Sequence, residues 1–168
     1  MLLILCGPPC TGKSAIGADL QSRFGFIHLE VDAIRQRILP NSDQNIEDRN
    51  TAYRTMHLIA EHLLREGLTV VVDATYNREL HRKELAAVVK ALETPAALIQ
   101  CKVPIDVAVA RFQSRPAGHA ALDLTEDLVR ELWTNFAYSK DGIIIDTAQP
   151  CDVDLDREDS LERWAQMQ

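Results

Sequence analysis

The chain has 168 residues, enough for one ordinary domain with its own hydrophobic core. Its composition, 46% hydrophobic and 26% charged, is typical of a globular protein, and its formal charge of −7 argues against a nucleic-acid polymer as the main partner. The sequence lacks a run of the roughly twenty apolar residues that span a bilayer, and its four cysteines without paired spacing predict a reduced, cytoplasmic protein. The sequence indicates no oligomeric state.

The first predicted element is a buried strand, Met1–Cys6, which leads straight into a glycine-rich loop. The loop fills the pattern G-x-x-x-x-G-K-S/T, in which two glycines let successive backbone N–H groups converge on an anion. Lys13 adds a mobile positive charge for the terminal phosphates, and the Ser14 hydroxyl is a ligand for Mg²⁺ at the start of a helix. The sequence therefore predicts a site for a nucleoside triphosphate with Mg²⁺. The site residues are Gly7, Pro8, Pro9, Cys10, Thr11, Gly12, Lys13 and Ser14.

The rest of the chain alternates strand and helix patterns, which indicates a parallel sheet with right-handed crossovers. Apolar β-branched runs predict the strands, and periodic apolar positions that end at Gly or Pro predict the helices. The small residues over 117–123 predict a loop that is a candidate hinge, and 151–159 is predicted to be an acidic surface segment. The predicted strands are 1–6, 26–31, 68–73, 96–103 and 143–146; the predicted helices are 13–24, one from Asp32 to the break at Pro40, 46–66, 78–92, 105–115, one that Thr125 caps, and one around 161–165.

Asp32 follows the second predicted strand, and in open α/β sheets the carboxyl ends of strands face the ligand. It is therefore a candidate to accept the proton of a substrate hydroxyl, or to act on the metal. The alternative is that Asp32 is the N-cap of a helix that begins at Ala33. Arg35 lies one turn further on the same face, as either a substrate ligand or part of a surface salt bridge.

Asp73 ends the apolar run that starts at Leu68, a setting in which a carboxylate acts on the nucleotide's Mg²⁺ through water. The alternative is a cap on the following helix. Arg111 and Arg115 lie four residues apart on one predicted helix, where they are candidates to stabilise charge on a transferring phosphoryl group, or simply solvated arginines. Cys10, close to helix amides, is expected either to have a lowered thiol pKa or only to fill space.

Four motifs occur in a fixed order: GPPCTGKS, VDAIR, VVVDATY with Arg82 nine residues beyond Asp73, and AVARFQSR. In this order they resemble the small P-loop kinases grouped with polynucleotide 5′-hydroxyl kinases, zeta toxins, gluconate kinases and chloramphenicol phosphotransferases. The resemblance covers about 2–115. It implies an α/β P-loop fold in three layers, with a five-stranded parallel sheet of order 2-3-1-4-5 and helices on both faces. It also implies a single domain over 1–168 with a lid-like segment at about 111–138.

The resemblance implies transfer of the γ-phosphate of ATP to a hydroxyl group. Asp32 matches the residue that activates the acceptor, and Arg111 and Arg115 match the lid arginines. The acceptors of these kinases range from sugars and antibiotics to nucleic-acid ends, but the acidic balance of this chain and its cation-poor lid loop favour a small molecule. Two alternatives stay open: a polynucleotide 5′-hydroxyl kinase, and a nucleotide-binding regulatory module without transfer activity. The predicted catalytic residues are Lys13, Asp32, Arg111 and Arg115, the predicted substrate ligands are Asp32 and Arg35, and the predicted metal ligands are Ser14 and Asp73.

Overall fold

The computed structural model of the chain describes residues 1–42, 45–115, 124–149, 159 and 161–167, without the side chains of residues 162 and 163. The predicted hinge loop over 117–123, and the acidic segment apart from Asp159, lie outside the described residues. The elements in chain order are β1 Leu2–Cys6, α1 Lys13–Phe24, β2 Ile27–Glu30, α2 Val31–Ile38, α3 Ile46–Arg65, β3 Val70–Asp73, α4 Glu79–Leu92, β4 Ala96–Lys102, α5 Ile105–Gln113, α6 Glu126–Thr134, β5 Ile143–Asp146 and α7 Glu162–Gln166.

The five strands form one parallel sheet in the order β2-β3-β1-β4-β5. This confirms the predicted α/β fold and strand order. Leu5 of β1 and Glu30 of β2 both lie opposite Asp73 of β3, so the carboxyl ends of the three strands reach the same edge of the sheet. That edge is where an open parallel sheet binds its ligand.

All five residues of the central strand β1 are buried. Since consecutive side chains of a strand point to opposite sides, β1 is buried on both faces. Leu2 and Ile4 pack in a core with α3, α4 and α7, whereas Leu3 and Leu5 pack in a second core with α1. Helices therefore cover both faces, which gives the predicted three layers. A smaller cluster joins α5 to α6 next to the end of β4.

Several predicted boundaries differ from the structure by one or two residues, and two of these differences bear on the site. The second strand ends at Glu30, and Val31 already belongs to α2; Val31 packs into the core from the helix, so its apolar character did not distinguish strand from helix. The fifth helix ends at Gln113, so Arg115 lies beyond it. A residue that precedes proline, as Arg115 precedes Pro116, is disfavoured in the helical conformation.

The described helices include none with both the length and the apolar character needed to cross a bilayer. Cys6 and Cys10 are free thiols.

Candidate active site

The loop between β1 and α1 depends on backbone conformations that favour glycine. Gly7 has φ 144°, and a Cβ there would lie 2.5 Å from the carbonyl oxygen of Cys101. Gly12, the N-cap residue of α1, has φ 86° in the left-handed region. The first turn of α1 follows directly, so its free N–H groups face the loop, which is the arrangement that binds phosphate.

Lys13 folds back across this loop. Its Nζ donates hydrogen bonds to the carbonyl oxygens of Gly7 at 3.1 Å and Pro8 at 2.8 Å, and the side chain is largely buried. An ammonium group has three donors, so the positive charge of Lys13 is held over the loop with one donor to spare. The Thr11 hydroxyl donates to Pro8 at 2.8 Å and closes the turn.

Asp73 and Ser14 form the hydroxyl and carboxylate pair that the sequence predicted as metal ligands. Ser14 Oγ donates to Asp73 Oδ2 at 2.6 Å, and both residues line the same cavity. The alternative of Asp73 as a helix cap is wrong, because α4 begins only at Glu79 with Arg78 as its N-cap residue. Hydroxyl and carboxylate oxygens are hard ligands that suit Mg²⁺.

His28 and Glu30 lie beside Asp73, and neither was predicted from the sequence. The three side chains bring one donor atom each to within 4.8 Å of one another. The His28 side chain is 4% exposed, and its Nε2 lies 3.4 Å from Asp73 Oδ2 without a hydrogen-bond partner among the described residues. His28 and Glu30 alternate on one face of β2, but their position beside Asp73 follows from the pairing of β2 with β3, which no local pattern shows. The oxygen atoms of the cluster fit a divalent cation.

Asp32 is the second residue of α2, so the alternative of an N-cap at Asp32 is wrong. Its Oδ1 lies 3.1 Å from Nη2 of Arg35. The Arg35 side chain is only 4% exposed while that of Asp32 is 44% exposed, so the pair is not the surface salt bridge that the sequence analysis considered. Both residues line the cavity.

Tyr53 of α3 also lines the cavity and was missed in the sequence. Its hydroxyl lies 3.2 Å from Thr75 Oγ1 and accepts the Tyr76 N–H at 3.2 Å. Burial raises the pKa of the Tyr53 phenol to about 12; among the charged groups near it, Asp32 raises the pKa further and Arg49 lowers it. The phenol is therefore a neutral hydrogen-bonding group at physiological pH.

Arg111 is docked on the phosphate-binding loop. Its Nη1 donates to Thr147 Oγ1 at 3.1 Å and its Nη2 to the Thr147 carbonyl at 2.9 Å, while Thr147 Oγ1 itself donates to the carbonyl of Thr11 at 2.6 Å. Thr147 follows β5 and was not predicted. Arg115 lines the same cavity with its guanidinium 5.9 Å from the Phe112 ring, but it does not share a helix face with Arg111 as predicted.

Of the two alternatives for Cys10, the lowered thiol pKa is wrong. Burial raises its pKa, and the nearby charges of Arg115, Lys13 and Arg111 offset this only in part. Cys10 packs against the apolar cluster between α5 and α6, which agrees with the space-filling alternative. The thiolate is the reactive form, so this cysteine is a poor nucleophile at neutral pH.

A buried polar network supports the wall behind Tyr53. The His81 ring stacks on Tyr53 with centroids 3.6 Å apart, and its Nε2 is 3.0 Å from Asn50 Oδ1. The same oxygen accepts a 3.4 Å hydrogen bond from Arg78 Nη1. Burial, followed by the charge of Arg78, lowers the pKa of His81 to about 4, so this imidazole is neutral at physiological pH.

Arg82, which belongs to the motif pattern, is structural rather than part of the cavity wall. Its Nε donates to the carbonyl of Trp164 at 2.8 Å, its Nη1 to the carbonyl of Tyr76 at 2.8 Å, and its Nη2 to the carbonyl of Met167. Arg82 therefore fastens α7 to the segment that follows Asp73.

The site is a cavity of about 770 Å³. The phosphate-binding loop and Arg111 form one part of its wall, and α2, the start of α3 and the start of α4 form another. Leucines of α6 and of the segment before it add an apolar portion. The cations on its wall are Lys13, Arg35, Arg49, Arg78, Arg111 and Arg115, and the carboxylates among the described lining residues are Glu30, Asp32 and Asp73.

Comparison with known proteins agrees with this architecture. The model of a family described as an AAA domain matches residues 2–148. A solved structure of a candidate kinase from Chloroflexus aurantiacus superposes with a TM-score of 0.73 at 21% identity, over 92% of this chain and 89% of that one. A gluconokinase from Sinorhizobium meliloti gives a TM-score of 0.65 at 17% identity, over 88% and 83%. At these identities the likeness concerns the fold, which is that of P-loop kinases.

One curated relative, the protein KTI12 homolog of Xenopus laevis, is 29% identical over 110 residues. That match covers 60% of this chain and 38% of the relative, so the chain spans well under half of the relative's length.

Proposed function

The chain belongs to the AAA domain family, and on that basis we propose that it is an ATP-dependent phosphotransferase that moves the γ-phosphate of ATP to a hydroxyl group of a small molecule. The observation that carries the proposal is the single cavity that joins the phosphate-binding loop to Asp32. Such a cavity can hold a triphosphate and a second ligand together. The free thiols of Cys6 and Cys10 support a reducing, cytoplasmic setting.

The loop end of the cavity would hold the nucleotide. Lys13 and the N-terminus of α1 supply positive charge for the phosphates, and Arg111 is fixed next to them by Thr147. Ser14 and Asp73 would hold Mg²⁺, which neutralises charge that develops on the transferring group when it is bound. Phosphoryl transfer needs positioned charge more than covalent chemistry, and arginines such as Arg111 and Arg115 supply it.

The opposite end would hold the acceptor. Arg35 binds one oxygen of Asp32, which fixes the carboxylate and leaves its second oxygen to accept the proton of the attacking hydroxyl. Tyr53 stays protonated, so it can orient the acceptor as a neutral donor. Leu128 and Leu132 of α6 line the cavity and would exclude water, which otherwise competes with the acceptor for the γ-phosphate.

The test is ADP release by the purified protein with a panel of sugars, hydroxy acids, nucleosides, aminoglycoside-like alcohols and a 5′-hydroxyl oligonucleotide. We expect a small hydroxyl compound to stimulate turnover and Asp32→Asn to lower that stimulated rate by about 100-fold or more, the usual effect of losing a general base. Asp19→Asn, at an exposed position of α1, is the matched control and should behave as the wild type.

Two outcomes would replace the proposal. Stimulation by the oligonucleotide alone would favour a polynucleotide 5′-hydroxyl kinase. Tight ATP binding without stimulation by any acceptor, together with normal behaviour of Asp32→Asn, would favour a regulatory nucleotide-binding module.

A further inference from the structure

Strand β2 brings two side chains with metal-ligand chemistry to the end of β3. The parallel pairing places His28 opposite Val71 and Glu30 opposite Asp73. Residues two apart in a strand point to the same face, so His28, Glu30 and Asp73 all lie on the face of the sheet that α1 covers. One donor atom from each of the three side chains lies within 4.8 Å of the other two.

The imidazole of His28 is buried with an unsatisfied nitrogen. The His28 side chain is 4% exposed, and its Nε2 lies 3.4 Å from Oδ2 of Asp73. Within the part of the chain that the structure describes, this Nε2 makes no hydrogen bond. Buried polar atoms are rarely left without a partner, because the free energy of removing them from water is then not recovered. The nitrogen that approaches Asp73 is therefore open to a ligand from outside the chain.

Helix α1 makes room for this imidazole at Gly17. A Cβ at Gly17 would overlap the His28 ring, so a glycine lets the helix lie against the ring without displacing it. The ring is thus in contact with α1 and lies at 3.4 Å from the carboxylate of Asp73. Packing sets its position, and a metal ligand held in place by packing does not have to be ordered when the ion binds.

The cavity gives an ion access to this cluster. Glu30 and Asp73 are among the residues that line the cavity, whereas His28 lies behind them. Ser14 also lines the cavity and donates its 2.6 Å hydrogen bond to Oδ2 of Asp73, the same oxygen that His28 approaches. Asp73 therefore lies between the phosphate-binding loop and the imidazole.

The alternative is a charged pair in which a protonated His28 binds Asp73 directly. In such a pair Nε2–H would donate a hydrogen bond to the carboxylate, but the 3.4 Å contact does not have the geometry of one. The pair would also give Glu30 no part, although its donor atom lies within 4.8 Å of the other two. An ion between the three side chains accounts for all of them.

We propose that His28, Glu30 and Asp73 bind a first-row transition-metal dication, and that they bind it without a nucleotide. Mg²⁺ prefers oxygen ligands and is usually held by one or two carboxylates together with substrate phosphates. An imidazole nitrogen beside two carboxylates favours a transition metal instead. The inference goes beyond the phosphotransferase function and does not depend on it, since the three ligands come from the protein alone.

The experiment titrates the metal-free, nucleotide-free protein with Co²⁺ and, separately, with Mg²⁺ in a calorimeter. Co²⁺ is the probe because it accepts mixed nitrogen and oxygen ligands, and because its unpaired electrons shift the NMR signals of a ligating imidazole. We expect one Co²⁺ per chain, bound at least about 10-fold more tightly than Mg²⁺. We also expect a large shift of the ring signals of His28.

Two ligand variants and one control sharpen the test. His28→Gln and Glu30→Gln should each weaken Co²⁺ binding by about 10-fold or more, and His28→Gln should also reduce the preference for Co²⁺ over Mg²⁺. His62→Gln, at an exposed position of α3, should change neither affinity. Circular dichroism shows whether each variant is folded. If His28→Gln does not fold, Glu30→Gln and the His28 signals of the wild type decide.

Three results would overturn the proposal. They are Co²⁺ bound no more tightly than Mg²⁺, undiminished Co²⁺ binding in either folded ligand variant, and His28 ring signals that saturating Co²⁺ does not shift. Co²⁺ held by a cysteine instead would give a sulfur-to-cobalt charge-transfer absorption together with unshifted His28 signals.

The metal site and the kinase function can fail separately. A Co²⁺ site that depends on His28, in a protein that transfers phosphate to no hydroxyl compound, would support the metal site and refute the kinase. Phosphate transfer with Mg²⁺ by a protein that does not bind Co²⁺ through His28 would do the reverse.

Discussion

Ser14 Oγ donates a 2.6 Å hydrogen bond to Oδ2 of Asp73, a residue 59 positions further along the chain. The bond joins the first turn of α1 to the end of β3, and the same carboxylate oxygen lies 3.4 Å from Nε2 of His28. Ser14 therefore holds Asp73 at the edge of the sheet where the phosphate-binding loop begins. This arrangement underlies the proposed metal site.

Replacement of Asp73 by asparagine tests that site. The amide can still accept the Ser14 hydrogen bond but lacks the negative charge that favours Mg²⁺. We expect Asp73→Asn to reduce ATP affinity by about 10-fold or more in the presence of Mg²⁺, by the loss of a charge-assisted contact, and to leave ATP binding in EDTA unchanged. Isothermal titration with and without Mg²⁺ measures both values, and a variant with the full wild-type Mg²⁺ dependence would refute the assignment.

A second prediction concerns Gly17, which packs against His28. A Cβ at Gly17 would overlap the His28 ring, so Gly17→Ala must displace it. Alanine at a helix-interior glycine usually stabilises a protein by about 0.5–1 kcal/mol; here we expect a loss of about 1–3 kcal/mol from overpacking. Urea denaturation measures the change.

The double variant Gly17→Ala, His28→Ala is the internal control for this contact. Removal of the imidazole makes room for the new methyl group, so the penalty of Gly17→Ala should largely vanish in the His28→Ala background. An equal penalty in both backgrounds would show that the glycine is needed for another reason.

The glycine-rich loop and the strands could be predicted because their signals are local. The residue spacing of the G-x-x-x-x-G-K-S/T pattern identifies the loop, and the run Val70–Val72 is by itself typical of a buried strand. The strand order is non-local and came only with the resemblance to a kinase family. His28 and Thr147 were missed because they reach the site through strand pairing and through the end of β5, which no local pattern reveals.

The environments of Cys10 and Arg82 depend on tertiary packing. Cys10 lies in a loop with positive groups, but its burial against the α5–α6 cluster outweighs their effect on the thiol pKa. Burial depends on tertiary packing and was not visible in the sequence. Arg82 lies at the spacing of a motif residue, but it binds the backbone carbonyls of Tyr76, Trp164 and Met167, which are brought together only by the fold.

Two buried histidines should make stability depend on pH. Burial, followed by the proximity of His81, lowers the pKa of His57 from 6.5 to about 3, and burial lowers that of His81 to about 4. Unfolding restores both to about 6.5, so below that pH the unfolded chain binds more protons and the free energy of unfolding falls. The slope is at most about 1.4 kcal/mol per pH unit for each histidine.

Urea midpoints between pH 6.5 and 5 check this prediction. The double variant His57→Gln, His81→Gln should flatten the decline, whereas His62→Gln, at an exposed position of α3, should not. An unchanged slope in the double variant would assign the decline to other groups.

Arg82 should matter for stability rather than for chemistry. Arg82→Gln removes a buried cation from three carbonyl oxygens, including those of Trp164 and Tyr76, and we expect a loss of about 3 kcal/mol or more in the free energy of unfolding. Arg65→Gln, in an exposed pair with Glu61, should change stability by less than about 0.5 kcal/mol. Thermal and urea denaturation measure both changes. Equal losses of stability in Arg82→Gln and Arg65→Gln would contradict this role of Arg82.

The most direct measurement of the central claim is transfer of labelled γ-phosphate from ATP to a hydroxyl compound, followed in a single turnover with wild-type protein and with Asp32→Asn. Detection of the phosphorylated acceptor separates a kinase from an ATPase, which ADP release alone does not. We predict label on the acceptor with the wild type, slowed by about 100-fold or more in the variant, with the affinity for ATP unchanged. Label released only as inorganic phosphate, or transferred equally fast by Asp32→Asn, would contradict the proposed role of the cavity.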